Sequence, residues 1–164
     1  NLTNLSTLYL HDNQLAALPP DFGNLTNLLW LDLSGNQLTA LPPEIGNLTN
    51  LQELDMSDNQ LTTLPSEIGN LTNLRGLYLS RNQLTALPIS IGDMRLSIFS
   101  AEDNPLAFPP PEIAVQGASA ILEFLRDPRP YPPYRVSATV IGTVVALVVS
   151  LVVSAAGVLA LWRR

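Results

Sequence analysis

The sequence predicts an α/β solenoid of short parallel strands, a capping helix and a single transmembrane helix. Two observations lead to this prediction: a motif that returns every 23 residues, and an uncharged run from Val136 to Trp162. Because the apolar residues follow two separate patterns, one packed domain does not account for the chain. We expect about five repeats over 1–109 with the first one truncated, a capping helix over 110–126, a proline-rich linker over 127–135, a transmembrane helix over 136–162 and a basic stop at 163–164.

The repeat is clearest in its asparagines and leucines. Its asparagines are spaced 23, 23, 23 and 22 residues apart, at Asn13, Asn36, Asn59, Asn82 and Asn104. In the first unit, Leu8 and Leu10 alternate as in a short strand and therefore point to one side. An asparagine side chain at the following bend can bond backbone groups, so stacked units are expected to form an asparagine ladder. One unit cannot bury its leucines alone, but stacked units can.

The second half of each unit carries prolines and a glycine. In the first unit, Pro19 and Pro20 are expected to stop any helix and to favour an extended return path. Gly23 recurs one repeat later as Gly46 and is expected to permit a turn with positive φ.

This pattern, L-x-x-L-x-L-x-x-N-x-L, resembles the leucine-rich repeat signature over residues 1–109. The 23-residue form with LPxxIGxLxxL is similar to repeats of bacterial proteins, of plant intracellular Ras-group-related proteins and of Roco-type proteins. The segment from Asn104 to Arg126 looks like the one that ends the array in Roco-like and related bacterial proteins. The resemblance implies a parallel sheet whose concave face, the side turned away from the leucine core, recognises a partner.

Charge and composition argue against several functions. Before the uncharged run, six arginines face 14 acidic residues, and a net charge of −8 is the wrong sign for a nucleic-acid binder. The absence of cysteine removes disulfides and Cys-ligated metals. A single histidine, His11, leaves no His-based triad, and a chain without lysine has no P-loop. We therefore expect neither an enzyme nor a bound cofactor or metal.

The segment after the repeats is expected to close them. Pro111 suits the first turn of a helix. Four residues then step by four along one face: Ile113, Gly117, Ile121 and Leu125. This stripe is expected to cover the open core of the last coil. A partner-binding helix is the alternative interpretation.

Residues 127–135 include four prolines and are expected to form a stiff spacer beside a membrane. A ligand for an SH3- or WW-like domain is the alternative. The following 27 uncharged residues would make a helix about 40 Å long, enough to cross a hydrocarbon core of about 30 Å. Trp162 and the two terminal arginines mark its far end.

Small residues along this run could let two such helices associate. They lie at Ala138, Gly142, Ala146, Ser150 and Ser154. Three arginines before the run and two after it favour repeats that face the cytoplasm. The N-glycosylation triplets of the repeats, such as Asn24-Leu25-Thr26, leave the extracellular orientation open.

The residues that flank the strand leucines are the candidate binding site on the concave face. The selected set is Tyr9, His11, Trp30, Asp32, Glu53, Asp55, Tyr78 and Arg81. Aromatic side chains are typical interface anchors, and a large apolar ring such as that of Trp30 on an exposed sheet face indicates a binding role. We expect a protein or peptide partner with basic and apolar groups. The plainer interpretation is that the acidic residues are ordinary solvated positions of the repeat.

Two functions follow from these features. The first is a membrane-anchored protein–protein interaction module in signalling. The second is a piece of a larger signalling protein, a kinase or a Roco-type GTPase, whose catalytic domain lies outside this chain.

Overall fold

The structure, a computed structural model, describes residues 4–127. These residues form a parallel sheet in the order β1-β2-β3-β4-β5, which confirms the predicted parallel sheet. The strands are β1 Thr7–Tyr9, β2 Trp30–Asp32, β3 Glu53–Asp55, β4 Gly76–Tyr78 and β5 Ile98–Ser100. Every strand pairs in the same register with the next. The central row therefore runs through Leu8, Leu31, Leu54, Leu77 and Phe99.

A short 3₁₀-helix forms the opposite side of each of the first four coils. These helices span Pro20–Asn24, Pro43–Asn47, Ser66–Asn70 and Ile89–Asp93. The expectation that Pro19 and Pro20 stop any helix is wrong, because the first 3₁₀-helix begins at Pro20. A proline in the first turn lacks only an N–H that would have no helical partner anyway.

Each 3₁₀-helix contains a glycine because a neighbouring segment lies too close for a Cβ atom, and not because the backbone adopts a positive φ. A Cβ on Gly23 would lie 2.6 Å from the carbonyl oxygen of Glu44 in the next coil, and one on Gly46 would lie 2.5 Å from that of Glu67. Positive φ occurs instead at the turn after each strand. There φ lies between 54° and 64° at Asp12, Gly35, Asp58, Arg81 and Asp103.

The core is a continuous spine of leucines between the sheet and the 3₁₀-helices. Leu31, Leu54 and Leu77 have no exposed surface, whereas Leu8 of the first coil is only partly buried. Each fully buried leucine contributes about 1.5–3 kcal/mol relative to an exposed one. The stability of a coil therefore depends on having a neighbour on both sides.

The bend after each strand is held by an asparagine that reaches into the previous coil. Oδ1 of Asn59 accepts a hydrogen bond from the Leu38 N–H at 3.0 Å, and its Nδ2 donates to the carbonyls of Leu33 and Met56 at 3.0 and 3.2 Å. The same pattern recurs at Asn36, Asn82 and Asn104. Asn13 differs, because it is exposed and donates only to carbonyls of its own coil.

The closing segment is two helices, α1 Pro111–Ala114 and α2 Ala118–Arg126, and not the single helix that the four-residue step predicts. Gly117 separates them with a φ of +91°, which is outside the helical region. Glycine is unfavourable inside a helix and favoured just after one.

Helix α2 crosses the 3₁₀-helix Ile89–Asp93 of the fourth coil. Gly92 has no Cβ to hold the α2 backbone away, and Nε of Arg126 donates to the Gly92 carbonyl at 3.2 Å. The rings of Phe108 and Phe124 meet edge to face, with centroids 5.5 Å apart. These contacts cover the core at the end of the array, on the side of the 3₁₀-helix of the fourth coil.

Within residues 4–127, no helix has the length and apolar character needed to cross a membrane. The predicted transmembrane helix over 136–162 lies outside the described residues, as do its small-residue face and all of the linker after Asp127.

Replacing Asn59 by alanine is expected to lower the free energy of unfolding by about 3 kcal/mol, because the Leu38 N–H and several buried carbonyls lose their partner. Urea unfolding followed by circular dichroism measures this loss. The matched control is Asn13→Ala, which is expected to cost less than about 1 kcal/mol because Asn13 holds no neighbouring coil. Equal losses in the two variants would contradict a stabilising ladder.

Candidate functional site

The strand register arranges the candidate residues in two adjacent rows on the concave face. One row runs through Thr7, Trp30, Glu53, Gly76 and Ile98, and the other through Tyr9, Asp32, Asp55, Tyr78 and Ser100. Neighbouring strands are separated by about 4.8 Å. The structure thus brings six of the eight selected side chains onto one surface, while His11 and Arg81 follow the ends of their strands.

Large apolar side chains are exposed on this surface. Tyr9 is 59% exposed, and Trp30 and Ile98 are each 49% exposed. The Tyr9 ring meets the His11 ring edge to face at a centroid distance of 6.2 Å. Tyr9 and Trp30 are diagonal neighbours on β1 and β2, since Tyr9 pairs with Asp32 and Trp30 with Thr7. Diagonal positions on adjacent strands are within reach of one large ligand side chain.

The aspartates of the second row are fixed by serines two residues further on. Asp32 Oδ1 accepts hydrogen bonds from the N–H and O–H of Ser34 at 3.0 and 2.7 Å. Asp55 is held by Ser57 in the same way, at 2.9 and 2.7 Å. The other oxygen of Asp32 lies 3.1 Å from Nδ1 of His11. These carboxylates are therefore held in place before any ligand arrives.

Glu53 occupies space that a glycine leaves open. A Cβ on Gly76 would overlap with the Glu53 carboxylate. The carboxylate oxygen Oε2 is buried and has no hydrogen-bond partner within residues 4–127.

Burial raises the pKa of Tyr78 above its ordinary value of 10.0, and the carboxylates of Glu53 and Asp55 raise it further. Burial and nearby negative charge both disfavour the phenolate. Tyr78 thus remains a neutral hydroxyl, able to donate a hydrogen bond, over the whole physiological pH range. Its ring and its hydroxyl group are placed next to Asp55 on the neighbouring strand.

Arg81 lies apart from the aromatic residues. It occupies one of the turns with positive φ and interacts with two carboxylates, Nη1 with Asp58 Oδ1 at 3.4 Å and Nε with Asp103 Oδ2 at 3.8 Å. All three side chains are largely exposed, and such surface ion pairs contribute about 0–1 kcal/mol. Among residues 4–127, Arg81 therefore pairs with Asp58 and Asp103 and not with Asp32, Glu53 or Asp55.

Over residues 4–127 no three His, Asp or Glu side chains are arranged to hold a metal ion. Sequence reasoning missed a cavity of about 310 Å³ between the last coil and the two closing helices. The feature of the sequence that could have indicated this cavity is Val115, an apolar residue outside the predicted helix stripe. Its side chain is 83% exposed.

Comparison with known proteins identifies the repeat. A family model described as leucine-rich repeat region matches residues 21–100, and a second one described as leucine rich repeat matches residues 4–25. The chain is a leucine-rich repeat protein. Among curated proteins, none matches it.

Several solved leucine-rich repeat structures are similar to this chain. A protein of Leptospira interrogans, LIC12759, is 34% identical over 70% of this chain, with a TM-score of 0.56. The plant peptide hormone receptor RGFR1, solved with RGF2, is 38% identical over 62%, with a TM-score of 0.58. The Arabidopsis receptor kinase HAESA, solved with the peptide hormone IDA and the co-receptor SERK1, is 38% identical over 63%, with a TM-score of 0.59.

The similarity covers 36% of the Leptospira chain, 17% of RGFR1 and 18% of HAESA. The chain thus spans a minor part of each of these leucine-rich repeat proteins. The shared fold therefore does not show that this chain has the activities of those whole proteins.

Replacing Glu53 by glutamine is expected to lower the pKa of Tyr78 while leaving it above 10.0, because one neighbouring charge is removed and burial remains. Titration of ¹³C-labelled tyrosine by NMR measures this change residue by residue. The native state holds the Tyr78 proton to higher pH than the unfolded chain does. The free energy of unfolding is therefore expected to fall as pH rises above about 10, and Tyr78→Phe should remove this part of the slope.

The control variant is Glu67→Gln, which removes a carboxylate on the 3₁₀-helix Ser66–Asn70 instead of the sheet. It should leave the pKa of Tyr78 where it is. A Tyr78 titration that is the same in Glu53→Gln and in the unmodified chain would show that the carboxylate does not act on the hydroxyl.

Proposed function

We propose that this leucine-rich repeat protein is a membrane-anchored interaction module whose concave face binds a protein or peptide with basic and apolar groups. The observation that carries the proposal is the exposed ring of Trp30, with Glu53 beside it on β3 and the exposed Tyr9 ring diagonal to it on β1. Exposed aromatic rings of this kind are typical of interface anchors.

The charges next to these rings support a basic ligand. The Asp32 and Asp55 carboxylates are held by their serines, so binding does not have to order them. The Glu53 carboxylate lies beside Trp30 and would attract a lysine or arginine side chain of the ligand. Apolar side chains of the same ligand would pack on Trp30 and Tyr9.

Similar structures support a peptide as one form of the ligand. RGFR1 was solved with RGF2, and HAESA with the peptide hormone IDA. Both share the repeat fold with this chain at 38% identity. Where the concave residues of this chain differ from those of RGFR1 and HAESA, we expect its ligand to differ from theirs.

Panning a randomised peptide display library on the full chain is expected to enrich sequences with lysine or arginine next to apolar residues. Trp30→Ala should weaken the binding of an enriched peptide about tenfold or more, because a central aromatic anchor is lost. Glu53→Lys should abolish the preference for basic residues. Fluorescence anisotropy with the enriched peptide measures both effects.

Ile89→Ala is the control variant, because Ile89 is 58% exposed but lies on a 3₁₀-helix and not on the sheet. Its affinity for the same peptide should equal that of the unmodified chain. If Trp30→Ala and Ile89→Ala bind the peptide equally well, the concave face is not the binding surface.

We also propose that residues 136–162 anchor the protein in a membrane with the repeats on the cytoplasmic side. The full chain should then stay with membranes after alkaline extraction, and protease added to sealed cells should leave the repeats intact. The double variant Ala146→Arg and Ser150→Arg should move to the soluble fraction, since each central arginine costs about 2.5–3.5 kcal/mol of insertion. Extraction of the unmodified chain, or cleavage of its repeats in sealed cells, would contradict the anchor or the orientation, respectively.

A larger signalling protein that contains this chain is the second candidate. The similarity to HAESA, a receptor kinase of which the chain matches 18%, favours it. In that case the same concave face would be the recognition part of the larger protein.

A further inference from the structure

Strand β5 is the last strand of the sheet that residues 4–127 form. In the preceding coil, the Leu79 N–H donates to the Ser100 carbonyl and the Arg81 N–H to the Glu102 carbonyl, each at 2.9 Å. The equivalent N–H groups of the last coil belong to Ala101 and Asp103. Within residues 4–127 neither of them donates a hydrogen bond.

An acceptor completes this edge. The Arg75 carbonyl accepts hydrogen bonds from the N–H groups of Ser97 and Ile98 at 2.8 and 2.9 Å. Its equivalent in the last coil is the Ser97 carbonyl, which accepts none from residues 4–127. One acceptor and two donors are thus placed as a further parallel strand requires.

The closing helices leave a cavity next to this edge. Helix α2 packs on the 3₁₀-helix Ile89–Asp93, whereas its first residues and the end of α1 stand away from β5. The apolar lining of the resulting cavity consists of Ala101, Leu106, Ala114, Val115, Ala118 and Ile121. At about 310 Å³ it lies at the small end of ligand pockets and suits one or two side chains.

The rim of the cavity is acidic. Glu102 and Asp103 border it, and Glu102 is positioned by a hydrogen bond from the Ser80 hydroxyl at 3.1 Å. Val115 is 83% exposed at the mouth. Apolar lining, acidic rim and open edge thus occur at the same place.

We propose that an extended peptide of a partner protein adds to β5 as a sixth parallel strand. Side chains alternate along a strand, so the peptide residue opposite Ala101 would enter the cavity and the next one would stand beside Glu102. The recognised sequence is therefore an apolar residue followed directly by a lysine or arginine. This is the strand-addition mode of peptide recognition, with backbone bonds for affinity and side-chain pockets for specificity.

Charge argues for a basic peptide and against a second copy of this chain. The turn after each strand carries Asp12, Gly35, Asp58, Arg81 and Asp103 in successive coils. A second copy continuing the array from β5 would place its Asp12 beside Asp103, and like charges at neighbouring positions of a sheet are destabilising. A lysine or arginine at that edge would neutralise the rim instead.

The test is an NMR titration of the ¹⁵N-labelled full chain in detergent micelles with two synthetic peptides. Both have alternating valine and threonine around a central pair, leucine–lysine in one and leucine–glutamate in the other. We expect saturable binding of the first peptide, with shifted amide signals and slowed hydrogen exchange at Ala101 and Asp103. The second peptide should bind more weakly.

Two variants separate the cavity from the rim. Ala118→Trp fills the cavity and should abolish binding. Glu102→Gln should weaken binding of the lysine peptide by about two- to fivefold, the range for an exposed ion pair. Glu102→Arg should reverse the preference, so that the glutamate peptide binds more tightly than the lysine peptide. This measurement remains informative even if Ala118→Trp does not fold.

Glu67→Gln is the control, because Glu67 lies on the 3₁₀-helix Ser66–Asn70, away from both the β5 edge and the concave face. Its binding of the lysine peptide should be unchanged. Signals that shift at Trp30 and its neighbours instead of at Ala101, equal affinity for the two peptides, or unchanged preference in Glu102→Arg would each overturn the proposal. Loss of the concave site and loss of the β5 site are thereby distinguishable.

Discussion

The hydrogen bonds that Asn36, Asn59, Asn82 and Asn104 make into the preceding coil are the constraint on which the rest of the structure depends. Asn59 satisfies the Leu38 N–H of the previous coil and carbonyls of both coils, so no bend is complete without its neighbour. Buried backbone groups without partners are costly, and this fixes the spacing of the coils. With that spacing fixed, Leu31, Leu54 and Leu77 coincide and form a core that no single coil could bury.

The same dependence explains the two ends of the array. The first coil has no preceding neighbour within the described residues, and its Leu8 is correspondingly less buried than Leu31. The last coil is closed by α1 and α2, which bury Ile113 and Ile121. Because a helix cannot supply the edge bonds of a strand, this closure covers the apolar core, and the N–H groups of Ala101 and Asp103 have no partner among residues 4–127.

Since the core is built from the inward residues, the outward ones are free to carry recognition. Trp30 and Tyr9 add little to the core, and their exposure makes sense as part of an interface. The acidic side chains beside them are organised by local bonds, as Asp32 is by Ser34. Exposed rings and fixed carboxylates on one surface are the features that the proposed basic and apolar ligand requires.

The sequence by itself determined the repeat, the parallel sheet and the rows of side chains on the concave face, because a fixed period and a two-residue alternation suffice to place Leu54 inside and Glu53 outside. It did not determine the close approach at Gly23, the break at Gly117 or the cavity beside Ala101. Those features depend on which backbones meet: Gly23 lies against Glu44 of the next coil, and α2 must turn at Gly117 to reach Gly92. These backbone contacts join residues far apart in the chain, and the periodicity of a sequence contains no information about such contacts.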